Sequence, residues 1–305
     1  MLNFLIAGFG KIGTEHVKAI KKIKSKKKIW IYDPFIDEKS SFSKKTSIFR
    51  LNKIKKIPNK LKVNLLIMSG LSRDRYLLTN KILKKVKAKN VLFEKTVFSK
   101  SNQIKLFTKS KLFKKNSMYV NTWNKNIFSK FNLAFLDYND LNIKVDLRRE
   151  NYLNNLCHLF EIFKLFNNNE DFEIVSNKVS NVSIFKGLYS ICDGEIVLKS
   201  SKARMIIKTK KVKKGNIYLS FYSKNKLFKK IIFNGATDIK HIYKKNKTKK
   251  SSKIIFPRIK KTTYDLINKL NKKQKISSTL FINHSKLSYM MLKSFENLNK
   301  PIMFK

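Results

Sequence analysis

The chain has 305 residues, is 42% hydrophobic and carries a formal net charge of +50. Its length predicts two domains rather than one, and its 24 phenylalanines exclude a chain too polar to form a core. No apolar run approaches the roughly 18 residues of a membrane span, and the first residues lack the basic start of a secretory signal. We therefore expect a cytoplasmic protein with no membrane span.

The two cysteines, Cys157 and Cys192, show no spacing typical of metal ligands. Two isolated thiols fit a reducing cytosol better than a disulfide framework. We expect both thiols to be reduced, and we expect no metal site.

Two explanations of the positive charge stay open. Lysine and arginine neutralise phosphates, so the charge is compatible with a nucleic acid or an anionic membrane as partner. Alternatively, the charge reflects a biased composition, because lysine, asparagine, isoleucine and phenylalanine are all abundant while glycine and proline are scarce. The lysines are spread through the chain and no recognition motif accompanies them, so we favour bias and expect no specific nucleic-acid partner.

The first twenty residues contain a glycine-rich loop between a predicted strand and a predicted helix. The apolar run Asn3–Ala7 predicts a buried strand, and an apolar face that starts at Ile12 and recurs at Ile20 predicts a helix. Between them lies a G-x-G-x-x-G pattern, in which the first glycine allows a tight turn, the second admits a pyrophosphate and the third lets helix and strand pack closely. The helix N-terminus favours phosphate as well. We expect the dinucleotide to contact this loop, which consists of Gly8, Phe9, Gly10, Lys11, Ile12 and Gly13.

A second predicted strand, Ile29–Tyr32, ends at Asp33. Asp33 follows Gly13 at about 20 residues, the distance at which a carboxylate accepts hydrogen bonds from the ribose hydroxyls. Such a carboxylate repels a 2′-phosphate, so we favour NAD over NADP. A turn formed by Asp33 and Pro34 is the alternative.

The rest of the N-terminal half alternates strands and helices, which predicts a parallel, doubly wound sheet. Ser69 and Gly70 follow one strand, in the loop where ligands bind, and Glu94 and Lys95 follow another. Residues 39–62 predict an irregular or short α/β connection. The remaining predicted elements are strands at Val63–Met68, Val91–Phe93 and Met118–Asn121 and helices near Leu77–Val86 and Ser101–Lys115.

The second half predicts a helix followed by an antiparallel sheet. The helix covers Tyr152–Phe166, Asp193 and Gly194 predict a hairpin turn, and the lysine-rich run Lys244–Lys253 predicts a solvated loop. A last helix carries an apolar stripe from Leu287 to Leu298. The predicted strands are Val182–Tyr189, Glu195–Leu198, Ala203–Lys208, Asn216–Tyr222 and Leu227–Phe233.

The predicted fold class is α/β with two domains. Residues 1–122 form a Rossmann dinucleotide-binding domain. Residues 123–305 form an α+β substrate domain with an open, mainly antiparallel sheet, and its C-terminal helix packs back on the core.

Three features carry candidate chemistry. Lys95 lies at the carboxyl end of a predicted parallel strand, where an ammonium can hold a substrate hydroxyl or carbonyl, although it is one lysine among many. His158 lies with Glu161 on one face of the predicted helix and is suited to proton transfer near neutral pH; a structural histidine is the alternative. Trp123 and Asn124 join the two halves, where a substrate would meet both domains.

Together these residues resemble the glucose-fructose oxidoreductase, inositol dehydrogenase and MocA (Gfo/Idh/MocA) family. Residues Gly8–His16 resemble the G-x-G-x-x-G-x-x-H opening of the family. Glu94-Lys95-Thr96 resembles its Glu-Lys-Pro signature, with threonine for proline, and the segment His158–Glu161 resembles its His-x-x-Asp helix, with glutamate for aspartate.

The resemblance implies an NAD(P)-dependent oxidoreductase that transfers a hydride between nicotinamide and a secondary hydroxyl or carbonyl of a sugar, sugar acid or nucleotide sugar. Surface-polysaccharide biosynthesis is one such context. The resemblance also implies that Lys95 binds the reacting hydroxyl, that His158 is the acid and base, and that the protein is a homo-oligomer. From its charge we expect Arg148 to meet an anionic substrate; a surface arginine is the alternative.

The position four residues before His158 holds a third catalytic residue in many members of this family. Many members have aspartate there, whereas this chain has Asn154, which cannot accept a proton. A non-catalytic dinucleotide-binding regulator or sensor is therefore the alternative function.

Overall fold

The computed structural model describes residues 1–121, 141–147, 153–167, 171–180, 183–185, 188–190, 193–210, 216–223, 226–233, 238–245, 248–255, 259–274, 278–298 and 303–304. By its contacts the chain divides into two compact units. Unit 1 contains Met1–Thr122 and Pro257–Tyr289, and unit 2 contains Trp123–Phe256 and Met290–Lys305. Residues 257–289, which the sequence placed in the second domain, thus group with the N-terminal residues. As a boundary between independently folding domains, the division after residue 122 stays a prediction.

The helices begin and end as follows: α1 (Lys11–Lys21), α2 (Ser72–Lys85), α3 (Ser101–Lys109), α4 (Lys111–Lys115), α5 (Leu153–Phe166), α6 (Ile259–Asn271) and α7 (Thr279–Glu296). None of the helices in the described part of the chain combines the length and apolarity that a bilayer crossing requires.

Unit 1 is built on a seven-stranded sheet. Its strands and those of a small second sheet are β1 (Leu2–Ala7), β2 (Lys27–Tyr32), β3 (Ser40–Ser43), β4 (Thr46–Leu51), β5 (Leu61–Val63), β6 (Leu65–Met68), β7 (Val86–Ala88), β8 (Asn90–Glu94) and β9 (Ser117–Asn121). The large sheet has the order β3-β4-β2-β1-β6-β8-β9 and is parallel except for β3. The parallel Rossmann sheet is confirmed.

Because β1, β2, β6 and β8 are parallel, the loops that follow them all lie at the carboxyl-terminal edge of the sheet. Strands β1 and β6 are apolar and buried because helices cover such a sheet on both faces. Helix α1 packs on α6, and Ile267 of α6 joins Ile6, Ile31 and Ile67 in one apolar core. This core holds the loop after β1 in place.

Two parts of unit 1 differ in detail from the expectation. Residues 39–62, expected as an irregular or short α/β connection, contain strands β3 and β4 and the start of β5; β3 is fully exposed, so it has no apolar alternation to signal it. The helix expected at Ser101–Lys115 is broken in two, because the hydroxyl of Ser110 accepts a hydrogen bond from the Phe113 amide and so caps a new helix.

Unit 2 is built on an eight-stranded sheet. The strands of this unit are β10 (Leu141–Leu147), β11 (Glu173–Ser180), β12 (Ser183–Phe185), β13 (Leu188–Ser190), β14 (Asp193–Lys199), β15 (Ala203–Thr209), β16 (Ile217–Ser223), β17 (Lys226–Phe233), β18 (Asp238–Lys245), β19 (Thr248–Ile255) and β20 (Met303–Phe304). The large sheet has the order β11-β14-β15-β10-β16-β17-β18-β19, and its neighbours are antiparallel except for β10 and β15. The mainly antiparallel second sheet is confirmed.

One face of this sheet is buried and the other is half-exposed, as the alternating pattern of β10 shows. Helix α5 lies on the buried face, where the ring of Phe166 meets that of Phe221 at 5.1 Å. The helix is buried on nearly all sides from Leu156 to Phe163.

Three expectations for unit 2 are wrong. Of the segment expected as a loop at Lys244–Lys253, residues 244–245 lie in β18 and residues 248–253 lie in β19. Backbone pairing needs no apolar side chains, and lysines suit β19 because it is an edge strand. The single strand expected at Val182–Tyr189 is the short antiparallel pair β12 and β13. Gly194 lies inside β14, paired with β11, rather than in a hairpin turn. Glycine is required there for a different reason: its φ is +142°, and a Cβ would lie 2.4 Å from the Lys178 carbonyl oxygen.

Candidate functional site

The loop after β1 needs glycine at two positions for steric reasons. Gly8 has a φ of +102°, and a Cβ there would lie 2.3 Å from the Gly70 nitrogen. A Cβ on Gly13 would lie 2.1 Å from the Gly8 carbonyl oxygen. The first glycine therefore turns the chain against the neighbouring loop, and the third lets the first turn of α1 pack on the turn itself.

Gly10 differs from the other two glycines. It precedes α1 with a φ of −71°, and a Cβ there would meet no atom of the described residues within 4 Å. The amides of Lys11, Ile12 and Gly13 open the helix, where a helix leaves its amides without internal acceptors and carries a partial positive charge. Open space beside amides that lack internal acceptors fits a pyrophosphate.

Asp33 is fixed beside this loop by backbone amides. Its Oδ2 accepts a hydrogen bond from the Phe9 amide at 2.7 Å, and its Oδ1 accepts one from the Phe35 amide at 3.0 Å. Each carboxylate oxygen has a second lone pair, so both oxygens keep the capacity to accept from a ribose hydroxyl. The guanidinium of Arg50 lies 5.7 Å from the centre of the Phe9 ring.

Ser69 and Gly70 adjoin the glycine loop. The Ser69 hydroxyl donates to the Gly8 carbonyl at 2.7 Å, and the Gly70 amide donates to the Ala7 carbonyl at 2.9 Å. The structure thus brings together the loops after β1, β2 and β6, as the sequence predicted.

Glu94 is buried in a polar network at the end of β8. Its Oε1 lies 2.9 Å from His16 Nε2 and 2.7 Å from Asn121 Nδ2, and the other ring nitrogen of His16 lies 2.8 Å from the Thr263 hydroxyl. The network joins α1, β8, β9 and α6. The Glu94 side chain is therefore engaged inside the protein, while the adjacent Lys95 is half-buried.

Sequence reasoning missed Arg75 of α2, which is fully buried without a carboxylate bonded to it among the described residues. Its guanidinium donates to the carbonyl oxygens of Gly70, Glu94, Thr96 and Val97 at 2.6–3.2 Å. Burial lowers its pKa to about 10, and the nearby Glu94 partly offsets this. A signal existed in the sequence, because only seven of the 69 basic residues are arginines and two of them, Arg73 and Arg75, fall within this helix.

Unit 2 holds the second predicted chemical group. His158 is buried, and its Nδ1 lies 3.3 Å from Glu161 Oε2. Asn154 lies on the same helix. Trp123, Asn124 and Arg148 lie outside the described residues.

A cavity of about 900 Å³ lies on the half-exposed face of the unit 2 sheet, with Lys144, Asp146, Lys208 and Tyr218 in its wall. None of the sequence-predicted site residues lines it. Within the described residues, no cluster of histidine, cysteine, aspartate or glutamate has the arrangement of a metal site.

The glycine loop, the acidic residue after β2 and the parallel sheet define unit 1 as a dinucleotide-binding Rossmann fold. Comparison with protein families agrees: residues 2–120 match the Gfo/Idh/MocA model, described as "Oxidoreductase family, NAD-binding Rossmann fold". The expected resemblance to this family is confirmed, and the NAD-binding region is the part that matches. Among curated protein sequences, none is significantly similar to the chain.

Solved structures share the fold over almost the whole chain. A dehydrogenase (MviM) from Clostridium difficile matches with a TM-score of 0.62 at 12% identity, covering 97% of this chain and 99% of its own. Biliverdin reductase from Synechocystis sp. PCC 6803, in complex with biliverdin and NADP+, matches with a TM-score of 0.65 at 10% identity, covering 96% and 98%. A super-repressor mutant of Gal80p from Saccharomyces cerevisiae matches with a TM-score of 0.66 at 9% identity, covering 97% and 95%. At these identities the similarity shows the fold alone.

Proposed function

We propose that this protein is an NAD-dependent oxidoreductase that transfers a hydride between nicotinamide and a secondary hydroxyl or carbonyl of a sugar, a sugar acid or a nucleotide sugar. The observation that carries the proposal is the position of Lys95. It follows β8, at the same edge of the sheet as the glycine loop. From residue 91 to residue 99 it is the only residue that is not buried.

The proposed roles follow from the chemistry of each side chain. NAD, when bound, supplies the hydride acceptor. Lys95 donates a hydrogen bond to the reacting oxygen and stabilises negative charge that develops there. His158 takes the hydroxyl proton during oxidation and returns it during reduction. We assign a proton to His158 Nδ1, because that nitrogen faces the Glu161 carboxylate. Nε2 is then the basic nitrogen of the neutral ring.

Charge supports an anionic substrate. A net charge of +50 raises the local concentration of anions and speeds their association, with a strong dependence on salt. We propose Arg148 as a contact of an anionic group and Trp123 and Asn124 as further substrate contacts. A nucleotide sugar or sugar acid fits this charge better than a neutral sugar.

NAD rather than NADP is proposed as cofactor because Asp33 is held beside the glycine loop by two backbone amides. A carboxylate fixed in this way cannot turn aside to admit a 2′-phosphate at low cost. Binding of NADH and NADPH, measured by calorimetry at one ionic strength, tests this choice. Tighter binding of NADH is expected, and equal affinity would contradict it.

Turnover tests the reaction itself. Sugar acids and nucleotide sugars, in alcohol and carbonyl forms, are incubated with NAD or NADH and the reduced cofactor is followed by absorbance. We expect turnover with a member of the anionic set, and its loss in His158→Ala with NADH binding retained. A wild-type protein that binds NADH but turns over none of the set would refute the proposed reaction.

A non-catalytic dinucleotide sensor is the second candidate function. Asn154 favours it, because an amide cannot replace a carboxylate in proton transfer. The fold is shared with Gal80p, whose solved structure is that of a super-repressor mutant, and a repressor with this fold favours the sensor as well. Asn154→Asp separates the two: an enzyme gains or keeps turnover on this change, whereas a sensor shows none with either residue.

We propose a cytoplasmic homo-oligomer that acts in surface-polysaccharide biosynthesis, with residues 1–122 as the cofactor domain and the chain from residue 123 as the substrate domain. Sedimentation measures the oligomeric state. The functions of neighbouring genes test the pathway.

A further inference from the structure

Arg75 connects two loops of the proposed cofactor site. It lies on α2, between the strand that precedes Gly70 and the strand that delivers Lys95. Its Nε and Nη2 both donate to the Gly70 carbonyl, at 3.2 and 2.6 Å. Its Nη1 donates to the carbonyls of Glu94, Thr96 and Val97, at 2.7, 2.6 and 3.0 Å. One side chain therefore holds both loops.

The bonds from Nη1 enclose Lys95. The carbonyl groups of the residues immediately before and after Lys95 accept from the same nitrogen. The Glu94–Lys95 peptide plane is thus held directly and the Thr96–Val97 plane is held one residue further on. The residues around Lys95 are buried while its own side chain is half-buried. The position and direction of the lysine depend on these bonds.

Gly70 links the same guanidinium to the glycine loop. The Gly70 nitrogen lies 2.3 Å from where a Cβ on Gly8 would be, and its amide donates to the Ala7 carbonyl. Arg75 thus ties the lysine loop to the backbone that adjoins the pyrophosphate loop. The distance between cofactor and Lys95 is the quantity that such a tie would control.

Arginine is required here by geometry. A guanidinium presents five donors in a rigid planar fork, whereas an ammonium presents three donors around one point. A buried charge without a bonded carboxylate is costly, and the convergent carbonyl groups compensate for it. A residue needed only to fill the space between α2 and the sheet would be apolar.

We propose that Arg75 is a positioning residue, which holds the backbone on both sides of Lys95 against the Gly70 loop and so sets the geometry of hydride transfer. This inference rests on the proposed function, because it assigns Arg75 a part in the same site.

The test compares Arg75→Ala and Arg75→Lys with Arg73→Ala. Arg73 is an exposed residue of the same helix that pairs with Asp74, so its loss is the matched control. Hydrogen exchange of each peptide, the NADH dissociation constant, KM and kcat are measured for all three. Loss of the Arg75 hydrogen bonds predicts faster hydrogen exchange at residues 69–71 and 94–98, with exchange rates elsewhere unchanged. It also predicts a fall in kcat of about 100-fold, as expected for a reacting group misplaced by about 1 Å, and a much smaller change in KM and NADH affinity.

Chemical rescue separates positioning from general destabilisation. Guanidinium chloride, below denaturing concentration, should restore kcat in Arg75→Ala and leave Arg73→Ala unchanged. Arg75→Lys should show the same local exchange without rescue, because its ammonium fills the site; it also replaces Arg75→Ala if that protein does not fold. Unchanged local exchange, unchanged kcat, or exchange that rises equally throughout unit 1 would each overturn the inference.

Failure of the proposed function would look different. It would appear in the wild-type protein, as absence of NADH binding and of turnover. Failure of this inference would appear as a wild-type kcat in Arg75→Ala.

Discussion

Replacing each of two glycines of the loop by alanine gives two different outcomes. In Gly13→Ala the new Cβ would lie 2.1 Å from the Gly8 carbonyl oxygen, where ordinary contact is 3.4–4 Å. The first turn of α1 must therefore move by about 1 Å, and overpacking of this kind costs about 1–3 kcal/mol of stability. In Gly10→Ala the new Cβ meets no atom of the described residues within 4 Å, so stability should change by no more than about 0.5 kcal/mol.

NADH binding should fall in both proteins. In Gly13→Ala it falls because the first turn of α1 moves, and in Gly10→Ala it falls because the new Cβ blocks the phosphate. The Cβ at Gly10 would occupy the space through which a pyrophosphate approaches the backbone, which at about 1–3 kcal/mol corresponds to a roughly 5- to 150-fold weaker binding. Urea denaturation gives the free energy of unfolding, and titration calorimetry gives the dissociation constant. Stable Gly10→Ala protein that binds NADH as tightly as wild type would refute the assignment of the pyrophosphate to this loop. Equal stability of Gly13→Ala and Gly10→Ala would refute the steric reasoning.

Three further changes test the surrounding contacts. His16→Ala leaves the buried carboxylate of Glu94 with one partner fewer and should lower the free energy of unfolding by about 1–3 kcal/mol. As a control, loss of the surface ion pair between Lys18 and Glu15 should lower it by less than about 1 kcal/mol. Asp33→Asn removes the charge that repels a 2′-phosphate, so the ratio of NADPH to NADH dissociation constants should fall by about tenfold; an unchanged ratio would show that another residue selects the cofactor. Burial, and to a smaller extent the charge of Lys45, lowers the pKa of Lys27 below 10.5. The unfolded chain therefore binds this proton more tightly, so the free energy of unfolding should rise with pH between the folded pKa and 10.5. Urea denaturation of Lys27→Met should show less of this rise.

The glycine loop could be predicted from the sequence because its requirements are local. Gly8 has a positive φ in a tight turn, and Gly13 packs on Gly8 five positions earlier. The helical face through His16 and Ile20 indicates the helix that follows. The contact of Gly8 with Gly70 is the one part of the loop that is not local. The structure confirms the strand, the loop and the helix in this order.

The contacts that support the site could not be predicted in the same way. His16 and Glu94 are 78 residues apart, and Arg75 and Glu94 are 19 apart. His16 and Glu94 meet because β8 lies two strands from β1 in the sheet, and spacing along the chain does not specify the order of strands. The sequence singled out His16 as part of a motif without showing what it contacts.

The lysine-rich strands were concealed for a different reason. Strands β18 and β19 pair through their backbones, and the lysines that suggested a solvated loop are compatible with an edge. The segment Ser40–Ser43 is likewise a strand without an apolar face. Where neither face of a strand is a continuous apolar surface, composition gives no sign of its pairing.

The central claim is that Lys95 contacts the reacting oxygen of a substrate whose hydride passes to or from nicotinamide. It is tested most directly by comparing turnover of Lys95→Met with that of Lys105→Met, which changes an exposed lysine of the following helix, while NADH binding is measured on both proteins. The account predicts that Lys95→Met binds NADH as wild type does and loses about 100- to 1,000-fold in kcat, as when a group that stabilises a developing oxyanion is removed, whereas Lys105→Met keeps its activity. Equal turnover of the two variants would contradict the account.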